Sequence, residues 1–473
     1  MPWTLIVPKI MNDTLARPRT VPASEYGPIA RGLAGTVAST SRPLSARAHL
    51  VGGAAGTRLF VPDGSRYLAL DPETEVRLSR ALAMGDDEGV QHELAILGLD
   101  TPPAIDDTPL QSPPLHAISL AIAQKCNMGC TYCYADQGDF GGPAKNMPLD
   151  TALQAIDVLM QGKQPGDRVQ IAFMGGEPLV NRPAIREATR YARLKADDMG
   201  LQAGFSITTN GTLLTEDDAV FFEKYGFAVT LSLDGLQEAH DAQRPMKGGQ
   251  GSYDRIMQKI RPLLAMQKNM QVSARVTVTP ANIHLAEALD EFIEMGFHSV
   301  GLSPLLRSPN GQNEMSQENL EKLLTAMITC GLRFENAVLQ GRRYPFLNMV
   351  NALKEIGKAT HRPYPCGAGA GYMGVSAEGE LSACHRFVND TDGQMGNLTD
   401  GPDADRQNTW LADRHVHQQS PCTQCWARYL CGGGCHHEVI DKGRTACNYI
   451  RGWLHYALQA HDRLERLAPG WNR

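Results

Sequence analysis

Cys126, Cys130 and Cys133 stand at a C-x3-C-x2-C spacing within Cys126-Asn127-Met128-Gly129-Cys130-Thr131-Tyr132-Cys133, just after the strand-like run Ala117–Ile122. Three thiolates on one short loop can hold three corners of a cubane [4Fe–4S] cluster, because cysteine thiolate is the usual ligand of such clusters. The fourth iron then lacks a protein ligand, and an open iron can bind a small molecule. The loop therefore reads as a catalytic cluster site rather than a plain electron carrier. Three buried thiols, or part of a zinc site, are the plainer alternatives. With 11 cysteines in 473 residues, this spacing should arise by chance in roughly one such chain in a hundred or fewer.

Further cysteines gather near the C-terminus. Cys366, Gly379 and Cys384 form a C-x12-G-x4-C pattern, followed by Cys422-x2-Cys425-x5-Cys431-x3-Cys435 and then Cys447. A pair of structural zinc sites is one reading, since C-x2-C suits zinc too. Cys330 is the only cysteine outside these groups and is expected to be a buried apolar residue.

The elements that must position these residues follow from periodicity. Apolar runs at 117–122, 168–174, 203–208, 227–233, 271–279 and 298–303 alternate with helical patterns at 149–161, 182–198, 215–225, 252–267 and 284–295. Six strands alternating with helices predict parallel βα units, and six do not close an eight-fold barrel. The fold class expected is α/β, a partial (β/α)6 barrel over 115–306. Functional loops in such sheets lie at the carboxyl ends of the strands. Cys126, Gly175, Asn210 and Asp234 all fall there.

Residues 1–48 are rich in Pro, Ser, Thr, Ala and Arg, without sustained period, and read as a mobile or loosely draped extension. Within 49–105, Arg58 to Leu70 is two apolar runs around a Pro-Asp-Gly turn, a hairpin signal. Asp71-Pro72-Glu73 then supplies an N-cap and a first-turn proline. Helical stretches follow through Leu82 and over Val90 to Leu97, which together read as a winged-helix-like module. Residues 106–114, with three prolines between Asp106 and Pro114, read as a linker. Residues 307–365 look like a helical connector, and 366–473 like a cysteine-rich Fe–S domain stapled by its clusters.

With Tyr132 between its last two cysteines, the loop resembles the signature of the radical S-adenosylmethionine (radical SAM) enzymes. The resemblance covers 115–450 closely and 50–100 loosely. It implies that Gly175, Gly176 and Glu177, in a Gly-Gly-Glu-Pro run after the second strand, bind the methionine ammonium. Glycines admit close backbone approach, and Glu177 offers an anionic acceptor. By the same resemblance Asn210 and Ser232 lie near the ribose and carboxylate, and Arg244 and Arg275 take carboxylate-binding positions. Exposed arginines are more often solvated surface groups, although Arg275 interrupts a strand pattern. The implied chemistry is reductive cleavage of S-adenosylmethionine to methionine and a 5′-deoxyadenosyl radical, which removes hydrogen from substrate.

The C-terminal cysteines resemble the SPASM-type extension, which implies two auxiliary clusters and three [4Fe–4S] clusters in all. By position, Cys422, Cys425, Cys431 and Cys447 would ligate one auxiliary cluster. Cys366, Cys384 and Cys435 would hold the other. Relatives with a full set carry one more cysteine before Cys366, where this chain has His361-Arg362-Pro363-Tyr364-Pro365. The gap is filled by His361, water or another group, or else the site is open and able to hold a substrate thiolate. Together with Pro365-Cys366-Gly367-Ala368-Gly369 and Ala383-Cys384-His385-Arg386-Phe387, this most resembles enzymes that install cysteine thioethers in peptides. The hairpin module resembles elements that bind a leader peptide as an added strand. Asp234 is the candidate catalytic residue, accepting a proton as the thioether forms. A cap beside Gly235 is the plainer reading.

The partners expected are a small Cys-containing protein or peptide and an external one-electron reductant. Competing readings are formylglycine formation in sulfatases, carbon–carbon bond formation in peptides, and a non-catalytic zinc scaffold. The hydrophobic fraction of 42% and charged fraction of 20% fit a globular chain. A net charge of only −6 implies no nucleic-acid partner. The first fifty residues carry a net of +4, leaving −10 for the rest. No apolar run approaches the ~20 residues that span a bilayer, so no membrane insertion is expected. The N-terminus lacks a signal-peptide pattern. A cytoplasmic location follows, where thiols stay reduced and serve metal or redox chemistry.

Overall fold

The computed structural model describes residues 45–53, 56–100 and 107–471. The extension over 1–48 thus lies outside the described residues up to 44. The N-terminal module contains β1 (His49–Gly53), β2 (Gly56–Val61) and β3 (Arg66–Ala69) as an antiparallel sheet in the order β1-β2-β3. Gly64, with φ 69°, makes the turn between β2 and β3. Helix α1 (Pro72–Met84) starts where the Asp71 carboxylate accepts from the Glu73 and Thr74 amides, and it ends at left-handed Gly85. Helix α2 (Asp87–Ile96) completes the module. Leu50, Leu59 and Val61 pack against Leu78, Leu82, Val90 and Leu94 as its core. The short β1 had no signal in the sequence, because Ala48-His49-Leu50-Val51-Gly52-Gly53 has too few residues to display a period.

The barrel follows in chain order: β4 (Ala117–Gln124), β5 (Lys145–Asn146), α3 (Leu149–Met160), β6 (Arg168–Gly175), α4 (Arg182–Met199), β7 (Gln202–Thr209), α5 (Glu216–Tyr225), β8 (Ala228–Ser232), α6 (Gln237–Gln243), α7 (Tyr253–Met266), β9 (Gln271–Val278), α8 (Leu285–Glu294) and β10 (Ser299–Pro304). The six expected strands run parallel in the order β10-β9-β8-β7-β6-β4. Burial alternates along the middle strands β6, β7 and β8, whereas β4 is buried at every position. On β6, Val169, Ile171 and Phe173 are buried on the helix side, while Gln170, Ala172 and Met174 face the lumen and are half-buried. Phe173 and Phe205 each stack on Phe227, at 6.1 and 5.5 Å between ring centroids, beneath the helices. Burying a phenylalanine stabilises by about 1.5–3 kcal/mol, so this outer layer carries the core.

After the barrel come α9 (Gln317–Leu339) and α10 (Leu347–Gly357), then β11 (Tyr372–Val375), β12 (Glu380–Ser382), β13 (Gln394–Asn397), β14 (Gly401–Pro402), α11 (Ala404–Arg414), α12 (Arg428–Cys431), α13 (His436–Lys442) and α14 (Cys447–Leu467). Strand β11 pairs parallel with β4, adding a seventh parallel strand to the six expected, and β12, β13 and β14 continue the sheet antiparallel. Four residues inside a cysteine-rich loop region are too few to read as a parallel strand.

The chain divides into two compact units. One joins Leu110–Met315 with Cys366–Leu411. The other joins the described residues up to Pro109 with Ser316–Pro365 and those from Ala412 onward. In the second unit, Glu335 on α9 receives Arg463 of α14 at 2.8 Å from two guanidinium nitrogens, and the Tyr456 hydroxyl at 2.5 Å. Cys330 is fully buried on α9, as its lone position suggested.

Candidate active site

Within the barrel unit, the cysteine loop leaves the end of β4 and is stitched to the segment after α6. The Gly129 amide donates to the Pro245 carbonyl at 2.9 Å and the Thr131 amide to the Gln243 carbonyl at 3.0 Å. Beneath the loop lie two glycines that nothing larger could replace. A Cβ on Gly176 would stand 2.5 Å from the Lys125 oxygen and 2.7 Å from the Gly138 Cα. A Cβ on Gly138, where φ is +104°, would meet the Cys126 Cβ at 2.8 Å. Gly175 ends β6 beside the Ala123 backbone. Two strand ends thus press backbone to backbone against the first cysteine.

Burial pushes the thiols of Cys126, Cys130 and Cys133 upward, and the Arg244 cation opposes this at all three. For Cys130 the result is a pKa of about 11. Protonated thiols in this setting become thiolates when a cation or a metal takes the proton's place. Asn210, just past β7, points its Nδ2 at the Cys126 sulfur (3.7 Å) and at the Asn127 Oδ1 (3.0 Å). Asn127 in turn donates to the Thr212 hydroxyl at 2.8 Å. Among the described residues, no group of three or more His, Cys, Asp or Glu side chains is arranged to hold a single metal ion. A cubane does not require that, since each of its thiolates binds a different iron. The three half-buried thiols on one loop, a neighbouring cation and a side-chain-free cradle fit a cluster with one open iron.

Glu177 is completely buried. Its Oε1 accepts from the Leu179 amide (3.0 Å) and the Thr209 hydroxyl (2.7 Å), and its Oε2 from the Asn210 amide (2.7 Å). The carboxylate therefore joins the ends of β6 and β7. With about four acceptor positions on two oxygens, one remains for a further donor. Burial raises its pKa, against those hydrogen bonds.

Asp234, just past β8, is also completely buried. The Tyr132 hydroxyl donates to its Oδ2, and the Thr277 amide donates to its Oδ1 at 2.9 Å. Arg244 donates from Nη1 to the Tyr132 oxygen at 2.6 Å and lies 3.9 Å from the Asp234 Oδ2. Burial raises the Asp234 pKa, and Arg244 and the phenol hold it back. The Arg244 Nε is buried with no hydrogen-bond partner. Asp234 thus secures the aromatic residue of the cysteine loop and reaches the loop through Tyr132.

These residues gather at one end of the barrel sheet: Cys126, Cys130, Cys133, Tyr132, Gly175, Gly176, Glu177, Asn210, Asp234 and Arg244. Ser232 ends β8, in register with Arg275 on β9. Arg275 itself lies on the inward face of β9, alternating with buried Ala274 and Val276, and is exposed. Residues that the sequence reading passed over include Thr209, Asn127 and Tyr134. A hydroxyl or amide at a strand end beside a candidate acid would have been the signal for the first two. Aromatic alternation in Tyr132-Cys133-Tyr134 would have been the signal for the third.

In the second unit, Cys422, Cys425, Cys431 and Cys447 interact with one another. Burial pushes Cys422 up to about 11, with Cys431, Cys425 and Cys447 adding to the rise and Arg444 opposing it. A tight turn and α12 bring Cys422, Cys425 and Cys431 round, and α14 begins on Cys447. Cys435 caps α13 in this unit. Cys366 and Cys384 belong to the barrel unit, where the Gly369 amide donates to the Ala383 carbonyl at 2.9 Å. His361 is held by Asp107, whose Oδ1 lies 2.8 Å from Nε2, and its ring lies tilted by 33° against Tyr429 with 3.6 Å between centroids.

Residues 120–280 match the Radical SAM superfamily model. A serine-type anaerobic sulfatase-maturating enzyme of Klebsiella aerogenes is 24% identical over 351 residues, covering 72% of this chain and 84% of that protein. The corresponding enzyme of Bacteroides thetaiotaomicron is 27% identical over 380 residues, covering 72% and 88%. Among solved structures, anSMEcpe with bound AdoMet superposes with a TM-score of 0.63 at 21% identity, over 75% of this chain and 95% of that one. Streptococcus suis SuiB bound to precursor peptide SuiA superposes at 0.51 and 15% identity, over 85% and 97%. The chain therefore carries a radical SAM domain, with the [4Fe–4S] cluster and S-adenosylmethionine that such a domain implies.

Proposed function

We propose that the chain is a radical SAM peptide maturase that forms intrapeptidyl thioether cross-links. Cysteine sulfur is joined to carbon, including Asp or Glu methylene carbon, in a small Cys-containing protein or peptide. The observation that carries a modifying enzyme is the three-thiol loop seated on Gly176, beside a buried Arg244 whose Nε is free to bind an anion. The named activities of the relatives, and the precursor peptide on SuiB, support a protein or peptide as substrate. The three-stranded sheet β1-β2-β3, with β3 at an edge, supports peptide docking at the N-terminal module.

When bound, the cluster on Cys126, Cys130 and Cys133 and S-adenosylmethionine together supply a carbon-centred radical that removes a hydrogen atom from substrate. Gly175, Gly176 and Glu177 orient the methionine ammonium, Arg244 its carboxylate, and Asn210 and Ser232 the ribose side. Asp234 takes the substrate thiol's proton through Tyr132. Over one link the peptide loses two hydrogens, one as an atom and one as a proton, together with one electron, for which clusters held by the C-terminal cysteines would be the acceptor. An external reductant supplies the electron for cofactor cleavage. Cys422, Cys425, Cys431 and Cys447 are assigned to one auxiliary cluster, and Cys366, Cys384 and Cys435 to the other.

Anaerobic reconstitution tests the cofactors: about 12 irons and 12 sulfides per chain are expected, and zinc without sulfide would sink the proposal. Mass spectrometry tests the product. Each thioether removes two hydrogens and one alkylatable thiol. Similarity to serine-type sulfatase-maturating enzymes favours formylglycine formation as a second reading, and serine oxidation would give the same mass loss with every thiol still alkylatable.

A further inference from the structure

Helix α6 carries the chain from the end of β8, near Asp234, to Arg244, and it is only seven residues long. A helix that short does not hold its shape by itself in water, so contacts with the surrounding protein decide where Arg244 lies. The buried residues of α6 are His240 and Gln243. The Gln243 carbonyl accepts from the Thr131 amide at 3.0 Å, and its Oε1 accepts from the Thr279 hydroxyl at 2.8 Å. Those two bonds fix the end of α6 against the cysteine loop and the end of β9. His240 makes a different kind of connection.

His240 and Ser252 are both completely buried, and their hydrogen bonds run in one direction. The Asp234 backbone N–H donates to the His240 Nδ1 at 3.3 Å. An amide can only donate, so Nδ1 is the bare nitrogen and the neutral ring carries its proton on Nε2. Nε2 then donates to the Ser252 hydroxyl at 3.0 Å, and Ser252 donates to the Arg244 carbonyl at 2.6 Å. The Arg244 amide closes the circuit on the His240 carbonyl at 2.8 Å. Only a neutral ring in this tautomer satisfies every member, and burial together with the Arg244 cation favours the neutral ring. The far end of the chain is fixed as well, since the Asn282 Nδ2 donates to the Asp234 carbonyl at 2.9 Å. At the other end the Arg244 side chain donates from Nη1 to Tyr132 and keeps a buried Nε without a partner.

We infer that His240 is a positioning residue for Arg244: through Ser252 it ties the Arg244 backbone to the end of β8, and so fixes where the guanidinium meets the carboxylate of S-adenosylmethionine. This deepens the proposed function and rests on its reading that Arg244 binds that carboxylate. A guanidinium pairs with a carboxylate through hydrogen bonds of fixed direction, so a small shift of its backbone forfeits the pairing. His240 acts through Arg244 and needs no contact with the cofactor.

The test uses the reconstituted full-length protein and two probes, S-adenosylmethionine and decarboxylated S-adenosylmethionine, which keeps the amine and the sulfonium but has no carboxylate. Binding is read from the electron paramagnetic resonance of the reduced cluster. The wild type is expected to favour the carboxylate-bearing probe at least about tenfold, equivalent to about 1.4 kcal/mol. His240→Ala and Ser252→Ala should each bring that ratio below about threefold, with the decarboxylated probe bound within about twofold of wild type and iron content unchanged. His240→Asn should restore most of the ratio, because its amide offers an oxygen to the Asp234 N–H and an NH2 to Ser252. If Arg244→Gln keeps the wild-type ratio, Arg244 is not the carboxylate's partner, and that reading falls together with the inference. If Arg244→Gln abolishes the ratio while His240→Ala and Ser252→Ala retain it, the inference alone is overturned. Equal weakening of both probes, or loss of iron, in His240→Asn as well as His240→Ala would assign His240 to folding and overturn it too.

Discussion

At the scale of single residues, buried charge is concentrated around Tyr132, Asp234 and Arg244. Removing one member strands the others, and a buried group left unsatisfied costs about 1–3 kcal/mol, more when charged. Asp234→Ala is expected to abolish cross-linking while leaving S-adenosylmethionine cleavage measurable as 5′-deoxyadenosine. Equal loss of both activities would assign Asp234 to cofactor binding or to folding. His240 gives a separate pH signature. Its Nδ1 accepts from the Asp234 amide at 3.3 Å and its Nε2 pairs with the Ser252 hydroxyl at 3.0 Å. Burial, reinforced by the Arg244 cation, brings its pKa from 6.5 down to about 3. Between those values the unfolded chain binds a proton that the folded chain does not. Stability therefore rises with pH across that window and falls on acidification, by about 1.4 kcal/mol per pH unit for one such ring. His240→Gln is expected to flatten the slope of Tm against pH between about 6 and 4. An unaltered slope would show that the native ring titrates normally.

At the scale of elements, the cysteine loop depends on what lies under it. Gly176→Ala places a methyl against the Lys125 and Gly138 backbones, neither of which can rotate away. The expected outcome is loss of about four irons with the far-ultraviolet circular dichroism unchanged. Full iron retention would mean that the loop tolerates the shift. By contrast, α5 is held by a cap remote from the chemistry. The Thr215 side chain accepts from the Asp218 amide while the Asp218 side chain accepts from Thr215. Thr215→Ala should lower stability by about 1 kcal/mol, read as a drop in Tm, with cleavage of S-adenosylmethionine retained.

At the scale of the whole chain, the two cysteine groups have separate duties in the proposed function. Double substitution Cys422→Ala/Cys447→Ala should remove about four irons and stop product formation. Uncoupled cleavage of S-adenosylmethionine by the barrel unit should survive, measured by chromatography. Loss of cleavage as well would show that the second group supports the barrel's fold or its reduction. Among the described residues, no helix is long and apolar enough to cross a membrane.

The barrel was legible because its signal is periodic and local. Alternating apolar runs at 168–174 and 203–208 demand one buried face, and that same alternation made Arg275 conspicuous at an inward position. The cysteine spacing was equally local: C-x3-C-x2-C needs no partner from afar to be recognised. What the sequence by itself determined is therefore the strands, most helices, the loop and the class of cofactor. Tertiary structure alone decided the pairings. Glu177 serves Thr209 and Asn210, 32 and 33 residues onward, and Asp234 reaches Tyr132, 102 residues back. Strand β11 joins β4 across more than two hundred residues, through four backbone positions with no period to read. Hydrophobic periodicity is a local signal, and it carries no information about meetings between residues so far apart in the chain.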